Sequence, residues 1–336
     1  MARLSIHVAV ETLTLSAPFR ISGYVFETSD VVVVTLDDGA HRGRGEGSGV
    51  FYLHDDVPHM LAAIEGARAA IEAGPSRDEL RSILPPGGAR NAVDAALWEL
   101  EAQRAGKPVW ALAGMDEPHG LVTTFTLGAD TPEVMAAGAR RYADARSIKI
   151  KLTGELDLDI ARVNAIRAAR PDVWLGVDGN QGFGIADLDA LVAAMQEAGV
   201  SLIEQPLARG READLDGYKS PIPLAADESA LSLGDVEAVA ARFDVFNIKL
   251  DKCGGLTEAL MIAAAAREVG LGVMVGNMVG TSLAMAPGFV LGQLCDLVDL
   301  DGPTFLKQDR VPGVAYRDGM VWCDDRVWGA DAMIAA

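Results

Sequence analysis

The sequence of 336 residues is poor in cysteine, in positive charge and in long apolar stretches. Its three cysteines are odd in number and lack CxxC spacing, which argues against a disulfide framework or a zinc site. Lys and Arg total 29 against 48 Asp and Glu, and the net charge of −19 argues against nucleic acid or an anionic membrane as partner. Apolar runs such as MIAAAA are too short to cross a bilayer, and no signal-peptide pattern is visible at the N-terminus, so we expect a cytoplasmic protein.

Histidine is also scarce, and its placement is informative. All five histidines lie at or before His119. The remainder of the chain therefore cannot contain a histidine base, a Ser-His-Asp triad or a histidine zinc site. If proton transfer takes place there, lysine side chains are the favoured bases.

Short apolar runs alternate with helix-periodic segments from about residue 121 onward. The runs are VTTFTL, SIKIKL, VWLGVD, SLIEQP, PLAADE, VFNIKL, LGVMVG and LVDLD. Alternating strands and helices predict a parallel sheet, and eight strands at this spacing predict a closed barrel. A doubly wound sheet is the alternative, but no strand is followed by the G-x-G-x-x-G phosphate loop that such a fold often carries.

The flanking regions predict a second, smaller α+β unit. LSIHVAVETLTL and VVVVTL have strand patterns, DDGAHRGRGEG is interpreted as turns, and residues 57–74 and 88–104 have helical stripes. The segment after LVDLD has no long helical stripe, so we expect the eighth helix to be missing and the tail to return to the N-terminal unit. The expected boundaries are 1–115 for the α+β domain, 116–305 for the barrel and 306–336 for the tail.

Five charged residues recur at intervals of 22 to 27 residues, at or near the ends of successive strands: Lys151, Asp178, Glu204, Asp227 and Lys249. The carboxyl ends of barrel strands meet at one mouth, so these charges should converge. The three carboxylates, on the third to fifth strands, are hard oxygen ligands that suit Mg²⁺ or Mn²⁺. Each acid could instead cap the helix that follows it, but three in consecutive units favour the metal site.

Two lysines flank the predicted metal site. Lys151 ends the second strand and Lys249 the sixth, and Lys149 shares the face of Lys151 because strands alternate with a period of two. A nearby cation lowers the pKa of a lysine, and Lys149 could lower that of Lys151 further, as a base requires. Asn180 is expected either to support the metal ligands or to serve as a turn residue. Lys252 is interpreted as a loop residue.

These groups define a reaction class. A divalent metal bound to a substrate carboxylate stabilises the enolate that forms when the α-proton leaves. One lysine can remove that proton, and the other can return it on the opposite face. The residues themselves therefore favour proton transfer at a carbon next to a carboxylate.

Five motifs occur in order: KIK (149–151), VDGNQ (177–181), EQP (204–206), ADES (226–229) and NIKLDKCGGLT (247–257). They resemble the enolase superfamily, muconate-lactonizing subgroup, and the resemblance covers the whole chain. It implies an α/β fold, a modified TIM barrel of (β/α)₇β type with an N-terminal α+β capping domain completed by the C-terminal tail. The implied site roles are Mg²⁺ binding by Asp178, Glu204 and Asp227, acid/base work by Lys151 and Lys249, and support of the metal ligands by Asn180 and Glu228.

The acidic pair Asp299 and Asp301 indicates which enzymes of this subgroup the sequence resembles most. A period of two places both carboxylates on one face at the barrel mouth, where they would repel each other unless a cation is expected. The segment VDLDGP resembles the DxD motif of the dipeptide epimerases, in which two aspartates hold the α-ammonium of the substrate. The alternative is a strand-end acid that caps the next turn.

Two stretches resemble the loops that set specificity in this family. They are residues 17–23 and 45–56. Arg20 in the first could bind an acidic side chain of the substrate or lie at the surface. Phe51 and Tyr52 in the second could form a lid or pack beneath the loop.

The resemblance implies Mg²⁺-dependent epimerisation of a dipeptide, of Ala-Glu type or related, at the α-carbon of its C-terminal residue. Lys149 and Arg20 would join Asp299 and Asp301 in binding this small-molecule substrate. The alternatives are an N-acylamino acid racemase, an o-succinylbenzoate synthase, a muconate cycloisomerase, and a barrel that binds a ligand without catalysis. Because the family is commonly oligomeric, we also expect a homo-oligomer.

Overall fold

A computed structural model of the chain describes residues 3–21 and 23–332, which form a cap, a barrel and a tail. The strands are β1 (Ser5–Ile21), β2 (Tyr24–Asp37), β3 (Arg42–Gly47), β4 (Leu121–Val122), β5 (Thr124–Leu127), β6 (Ser147–Lys151), β7 (Trp174–Asp178), β8 (Leu202–Glu204), β9 (Leu224–Ala226), β10 (Val245–Lys249), β11 (Gly272–Gly276), β12 (Leu297–Val298), β13 (Ala315–Arg317) and β14 (Met320–Trp322).

The α-helices separate the strands of the barrel and cover the sheet of the cap. They are α1 (Val57–Glu72), α2 (Arg77–Ile83), α3 (Gly88–Ala105), α4 (Val109–Leu112), α5 (Pro132–Arg141), α6 (Leu156–Ala169), α7 (Ile185–Glu197), α8 (Val236–Ala240), α9 (Leu250–Cys253), α10 (Leu256–Glu268) and α11 (Ser282–Gly292). Short 3₁₀ turns cover Phe51–Leu53, Glu212–Leu215, Leu233–Asp235 and Gly302–Phe305. Within the described ranges, no helix combines the length and the apolarity needed to cross a membrane.

The barrel is a parallel sheet in which β5 to β12 pair in chain order, so all eight predicted strands are confirmed. Ile148 and Ile150 of β6 belong to the apolar core, whereas Lys149 and Lys151 line the cavity at the mouth. The inward-facing lysines at the end of this strand are therefore available for chemistry at the mouth. After β12 the chain forms a 3₁₀ turn and then the β13–β14 hairpin, which confirms that a long eighth helix is absent from this segment of the described chain.

The cap consists of the antiparallel sheet β1–β2–β3 with α1, α2 and α3 packed against it. One face of β2 supplies Val32, Val34 and Leu36 to a core that also contains Ile64 and Leu97 from the helices. Alternation along β2 explains this core, because successive strand side chains point to opposite faces of the sheet.

The prediction that DDGAHRGRGEG forms turns is wrong in part, because Arg42–Gly47 within it is the strand β3. Its alternate glycines face α3. A Cβ on Gly43 would lie 2.0 Å from the carbonyl oxygen of Ala96, and one on Gly45 would lie 2.0 Å from that of Ala92. Glycine in this strand therefore permits a close approach of a helix backbone and does not mark a turn.

Buried polar contacts fasten the cap to the barrel. Arg90 of α3 donates to the carbonyl oxygens of Cys253 (2.5 Å) and Gly254 (3.1 Å) and to the Glu258 carboxylate (2.7 Å). Asp94, one turn further along α3, accepts a hydrogen bond of 3.0 Å from the Thr257 backbone N–H. These contacts hold the cap over the segment that follows β10.

The tail contacts both other parts of the molecule. The β13–β14 hairpin pairs with β4 at the start of the barrel. Further along, Trp328 Nε1 donates to the carbonyl oxygen of Arg44 (3.1 Å), and Gln103 Nε2 donates to that of Gly329 (2.8 Å). The tail therefore returns to the cap, as expected.

We predict that Gly45→Ala destabilises the protein, because its methyl group would meet backbone atoms of α3 that cannot move aside. Overpacking of this kind typically costs about 1–3 kcal/mol. The matched control is Gly66→Ala in α1, where a Cβ meets nothing within 4 Å. That change should stabilise the helix by about 0.5–1 kcal/mol. Urea unfolding monitored by circular dichroism measures both changes, and a Gly45→Ala midpoint equal to that of wild type would contradict the close approach.

Candidate active site and metal centre

A cavity of about 380 Å³ lies between the strand ends of the barrel and the cap. Most of the residues singled out in the sequence line it. They are Lys149, Lys151, Asn180, Asp227, Glu228, Lys249, Asp299 and Asp301. Asp178 and Glu204 are fully buried and contact the lining lysines. The fold therefore gathers these groups at one mouth, where barrel enzymes carry their chemistry.

The three carboxylates form a compact cluster. Asp178 and Glu204 are register partners on β7 and β8, and Asp227 directly follows β9. One oxygen from each of the three lies within 4.8 Å of the others. Glu204 Oε2 accepts no hydrogen bond from the described residues, although Lys149 Nζ lies 2.7 Å away. Buried hard oxygen donors at this spacing, one of them incompletely satisfied, fit a divalent cation such as Mg²⁺.

Lysines lie on both sides of this cluster. Lys151 Nζ is 2.6 Å from Asp178 Oδ2, and Lys249 Nζ is 2.7 Å from Asp227 Oδ2. Their strands, β6 and β10, are separated in the sheet by the three strands that lead to the carboxylates. The two ammonium groups therefore reach the cavity from opposite sides.

The buried charges shift one another's proton affinities. Burial lowers the pKa of Lys249, but Asp227 more than offsets this and holds the pKa above its usual value. Burial likewise raises the pKa of Asp227, and Lys249 and Lys252 outweigh it, so this carboxyl stays well below its usual range. Burial and the neighbouring Asp178 raise the pKa of Glu204 to about 7. The expected lowering of lysine pKa values by a cation remains a prediction.

Lys149 connects the carboxylate cluster with the acidic pair. Its Nζ lies 2.7 Å from Glu204 Oε2, 2.8 Å from Asp299 Oδ2 and 3.6 Å from Asp178 Oδ2. Only 3% of the residue is exposed. Burial opposes its charge, yet Asp299 and Glu204 hold its pKa well above the usual value, so Lys149 is a fixed positive charge between the two acidic groups.

Asp299 and Asp301 lie at the seam where β12 meets β5. The hydroxyl of Thr124 donates to Asp299, and the backbone N–H of Thr126 donates to Asp301 at 2.6 Å. Burial and the Asp299 charge raise the pKa of Asp301 to about 7. Both aspartates thus bridge the barrel seam and face the cavity, where a cationic group would relieve their repulsion.

Arg20 is not brought to the cavity. On the β1–β2 hairpin Phe19 pairs with Phe26 and Arg20 with Val25, so the arginine lies on the opposite face from these phenylalanines. Its side chain is 47% exposed and forms a 3.7 Å ion pair with Asp130. Ser22, in the same predicted specificity loop, lies outside the described residues.

Asn180 and Glu228 lie close to the carboxylate cluster. The backbone N–H of Asn180 donates to Asp178 Oδ1 at 2.9 Å, and its backbone has a left-handed φ of 42°. Asn180 Oδ1 and Glu228 Oε2 are buried and have no hydrogen-bond partner among the described residues. Burial and Asp227 raise the pKa of Glu228 to about 8. These polar atoms face the cavity and remain available to a ligand.

The interpretation of Lys252 as a loop residue is wrong. It lies in the helical turn α9 and is 2% exposed. Its Nζ donates to Asp227 Oδ1 (2.7 Å) and to the carbonyl oxygens of Asp227 (2.6 Å) and Asn247 (2.9 Å). The helical turn after β10 brings this lysine back toward β9, so it positions Asp227.

Two further polar residues were missed in the sequence. Asn247 Nδ2 donates to Glu204 Oε1 at 2.9 Å, and its position two residues before Lys249 placed it on the same inward face. Gln205 Oε1 accepts from the Asp227 backbone N–H at 3.0 Å, and the residue has a left-handed φ of 34°. Gln205 belongs to the EQP motif, but the sequence assigned it no role, because its role depends on a contact with the segment that follows the next strand.

The charge pattern along the strand ends is interrupted at β11, which ends in Gly276. A Cβ there would lie 2.7 Å from Asn247 Oδ1 and 3.1 Å from Lys249 Cε. The glycine leaves room for the lysine to extend across the mouth. A larger residue at this position would displace it.

Comparisons with known proteins agree with this architecture. The family model described as mandelate racemase/muconate lactonizing enzyme, N-terminal domain, matches residues 3–114, and the enolase C-terminal domain-like model matches 134–327. An L-Ala-D/L-Glu epimerase of Escherichia coli K12 is 36% identical over 94% of this chain and 98% of its own. A hydrophobic dipeptide epimerase of Roseobacter litoralis is 34% identical over 90% of this chain and 91% of its own.

Solved structures are similar over nearly the whole chain. One is an enolase family member from Agrobacterium tumefaciens with homology to dipeptide epimerases, with bound sodium and L-Ala-L-Glu. It has a TM-score of 0.93 and 37% identity, covering 97% of this chain and 100% of its own. A dipeptide epimerase from Methylococcus capsulatus, complexed with Mg and L-Arg-D-Lys, has a TM-score of 0.89 and 31% identity, covering 96% and 97%. The chain therefore belongs to the mandelate racemase/muconate lactonizing enzyme family of the enolase superfamily.

Proposed function

We propose that the protein is a Mg²⁺-dependent isomerase that epimerises dipeptides at the α-carbon of the C-terminal residue. One observation carries the proposal. Two lysines lie on opposite sides of a carboxylate cluster, and an acidic pair faces the same cavity. The similarity to proteins named as dipeptide epimerases supports it.

The metal would be held by Asp178, Glu204 and Asp227, whose oxygens form the compact donor set. Mg²⁺ bound there would supply positive charge that stabilises the negative charge developing on the substrate carboxylate and lowers the pKa of the adjacent lysines. Asn247 and Lys252 orient Glu204 and Asp227 by direct hydrogen bonds.

Proton transfer would be carried by Lys151 and Lys249. One lysine, neutral, takes the proton from the α-carbon, so the C–H bond breaks, an N–H bond forms and the electron pair moves into the substrate carboxylate. The other lysine, as ammonium, donates a proton to the opposite face of the same carbon. Because the two lysines reach the cavity from opposite sides, the net result is inversion of configuration at that carbon.

Asp299 and Asp301 would bind the N-terminal ammonium of the dipeptide. Both carboxylates line the cavity at the barrel seam, and an ammonium group between them relieves the repulsion that raises the pKa of Asp301. Lys149 contacts Asp299 on its far side and keeps this carboxylate ionised. The pair therefore selects a substrate with a free amine.

The same pair weighs against the other reactions of this family. An N-acylated amino acid shares the amide of a dipeptide but has no ammonium group on its acyl part, and the substrates of cycloisomerases and of succinylbenzoate synthesis are anions. Each would leave the buried Asp301 without a paired cation beside the charge of Asp299, which is energetically unfavourable.

The domain boundaries 1–115, 116–305 and 306–336 are also retained as a proposal. The separate apolar core of the cap supports the first boundary. The expected homo-oligomer and the cytoplasmic location stay predictions from the sequence.

We predict that Lys151→Ala and Lys249→Ala each lower the rate of epimerisation by about 10²- to 10⁴-fold, the usual contribution of a general acid or base. Each variant should still exchange the α-proton of one epimer with D₂O, and the two variants should act on opposite epimers. NMR in D₂O with Mg²⁺ and a dipeptide panel measures this. Lys219→Ala, at an exposed lysine away from the cavity, is the control. Epimerisation that survives at wild-type rate in either lysine variant would refute the two-base mechanism.

We predict that Mg²⁺ raises the melting temperature of the wild-type protein and not that of Glu204→Gln. A ligand at about 100 times its dissociation constant stabilises the folded state by about 2.7 kcal/mol. Thermal unfolding with and without Mg²⁺ measures the shift. Asp216→Asn, which alters a carboxylate paired with Arg242 outside the cavity, should keep the wild-type response. An equal Mg²⁺ shift in Glu204→Gln would exclude this carboxylate from the site.

We predict that the wild-type protein prefers a dipeptide to the N-acetylated form of the same C-terminal amino acid by at least about 10²-fold in kcat/KM, because a charged hydrogen bond contributes about 1.5–3 kcal/mol and an unpaired buried charge costs more. Asp301→Asn should reduce this preference, mainly through a higher KM for the dipeptide. Steady-state kinetics on both compounds provide the test. A wild-type preference for the N-acetyl compound would favour the racemase alternative.

A further inference from the structure

The cavity has a charged floor and an apolar roof. The floor consists of the strand-end lysines and carboxylates described above. The roof comes from the cap, where β1, β2 and the Phe51–Leu53 turn supply the apolar lining residues Leu15, Phe19, Ile21, Phe26, Phe51 and Tyr52. Met278, Val279 and Phe305 complete the wall. A substrate whose charges contact the floor can therefore present a side chain to these apolar groups.

The aromatic roof is held by ring contacts within the cap. The Phe26 and Phe51 centroids are 5.5 Å apart in an edge-on arrangement, and those of Phe51 and Tyr52 are 5.3 Å apart. Tyr24 also packs on Phe51, at 4.7 Å. Ring pairs at these distances stabilise one another, so the aromatic side chains of the roof hold a defined arrangement.

The two ends of the roof cover different parts of a dipeptide. Phe19 packs against Phe305 at 4.8 Å, and Phe305 lies in the 3₁₀ turn that follows Asp301, so this end covers the site of the ammonium group. Tyr52 lies at the other end, where Asp227 and Glu228 are its charged neighbours. Phe51 packs on Tyr52, and Phe26 packs on Phe51 and is the cross-strand partner of Phe19. Phe26 and Phe51 therefore lie between the two ends of the roof, over the residue whose α-carbon lies between the lysines.

The described lining residues bring no further cation to this end of the cavity. Of the described residues that line it, only the three floor lysines are positively charged, and each already contacts a carboxylate. Arg20 lies on the outer face of the hairpin with Val25, its cross-strand partner. Asp30, Asp55 and Asp56 add further acid to the lining. A glutamate side chain would thus be buried without a partner among like charges.

Resting on the proposed epimerase function, we propose that the epimerised residue carries an apolar side chain, aliphatic or aromatic, that packs beneath Phe26 and Phe51. Preferred substrates are then dipeptides such as L-Ala-L-Leu and L-Ala-L-Phe, and L-Ala-L-Glu is disfavoured. This specificity belongs to the cap. The floor would contact only the backbone atoms of the dipeptide, so it does not discriminate between side chains.

The test compares kcat/KM for L-Ala-L-Leu, L-Ala-L-Phe and L-Ala-L-Glu, measured by α-proton exchange in D₂O with Mg²⁺. Wild type should prefer Leu or Phe over Glu by about tenfold or more, within the range that apolar pockets achieve. Phe26→Arg places a cation in the roof and should shift the ratio toward Glu by at least about tenfold. Val25→Arg, the matched control, adds the same charge at a site that is 60% exposed and outside the lining, and should leave the ratio within about twofold.

The outcomes distinguish a failure of the apolar-pocket proposal from a failure of the epimerase proposal. A wild-type preference for Glu, or a Phe26→Arg ratio equal to that of Val25→Arg, overturns the apolar pocket and leaves the epimerase proposal intact. Absence of exchange with every dipeptide overturns both. If Phe26→Arg fails to fold, as judged by circular dichroism, the wild-type ranking decides alone.

Discussion

Charge compensation inside the barrel is the constraint on which the rest of this structure depends. The buried acids Asp178, Glu204, Asp227, Asp299 and Asp301 share a small volume with Lys149, Lys151, Lys249 and Lys252. An isolated buried charge costs several kcal/mol, so every one of these groups needs a partner. Acids remain in excess, and burial together with a neighbouring aspartate raises the pKa of both Glu204 and Asp301 to about 7. Such an excess favours cationic ligands, and the proposed function places a divalent cation at one end of this cluster and an ammonium group at the other.

The barrel and the cap divide the work between them. Under the proposed function, the barrel supplies the groups that would act on atoms every dipeptide has: the terminal carboxylate, the α-proton and the terminal ammonium. The cap supplies the surface that meets the side chains. Its internal packing depends on glycines in β3 that admit α3 at close range, and its position on the barrel depends on Arg90, which ties α3 to the segment after β10. Specificity can therefore change on the cap while the chemistry in the barrel stays the same.

Much of this could be predicted from the sequence, and the failures have physical causes. Strand ends in a barrel converge whatever the details of packing, so Lys151, Asp178 and Lys249 could be placed together from their spacing alone. Arg20 and Phe26 could not be assigned in this way, because hairpin register decides which of them faces the cavity. Lys252 was misread because one helical turn after β10 reverses its direction. The glycines of β3 were misread because a close helix contact and a turn have the same local signature.

The sequence by itself determined the barrel, the convergence of its charged strand ends and the class of chemistry, because periodicity and spacing are local properties of the chain. Only the tertiary structure decided which acid each lysine contacts, that Lys149 links the carboxylate cluster to the acidic pair, and that the described residues of the aromatic roof include no cation. Those features depend on distances between segments far apart in the chain. Such distances are set by the packing of the cap on the barrel, which local patterns do not record.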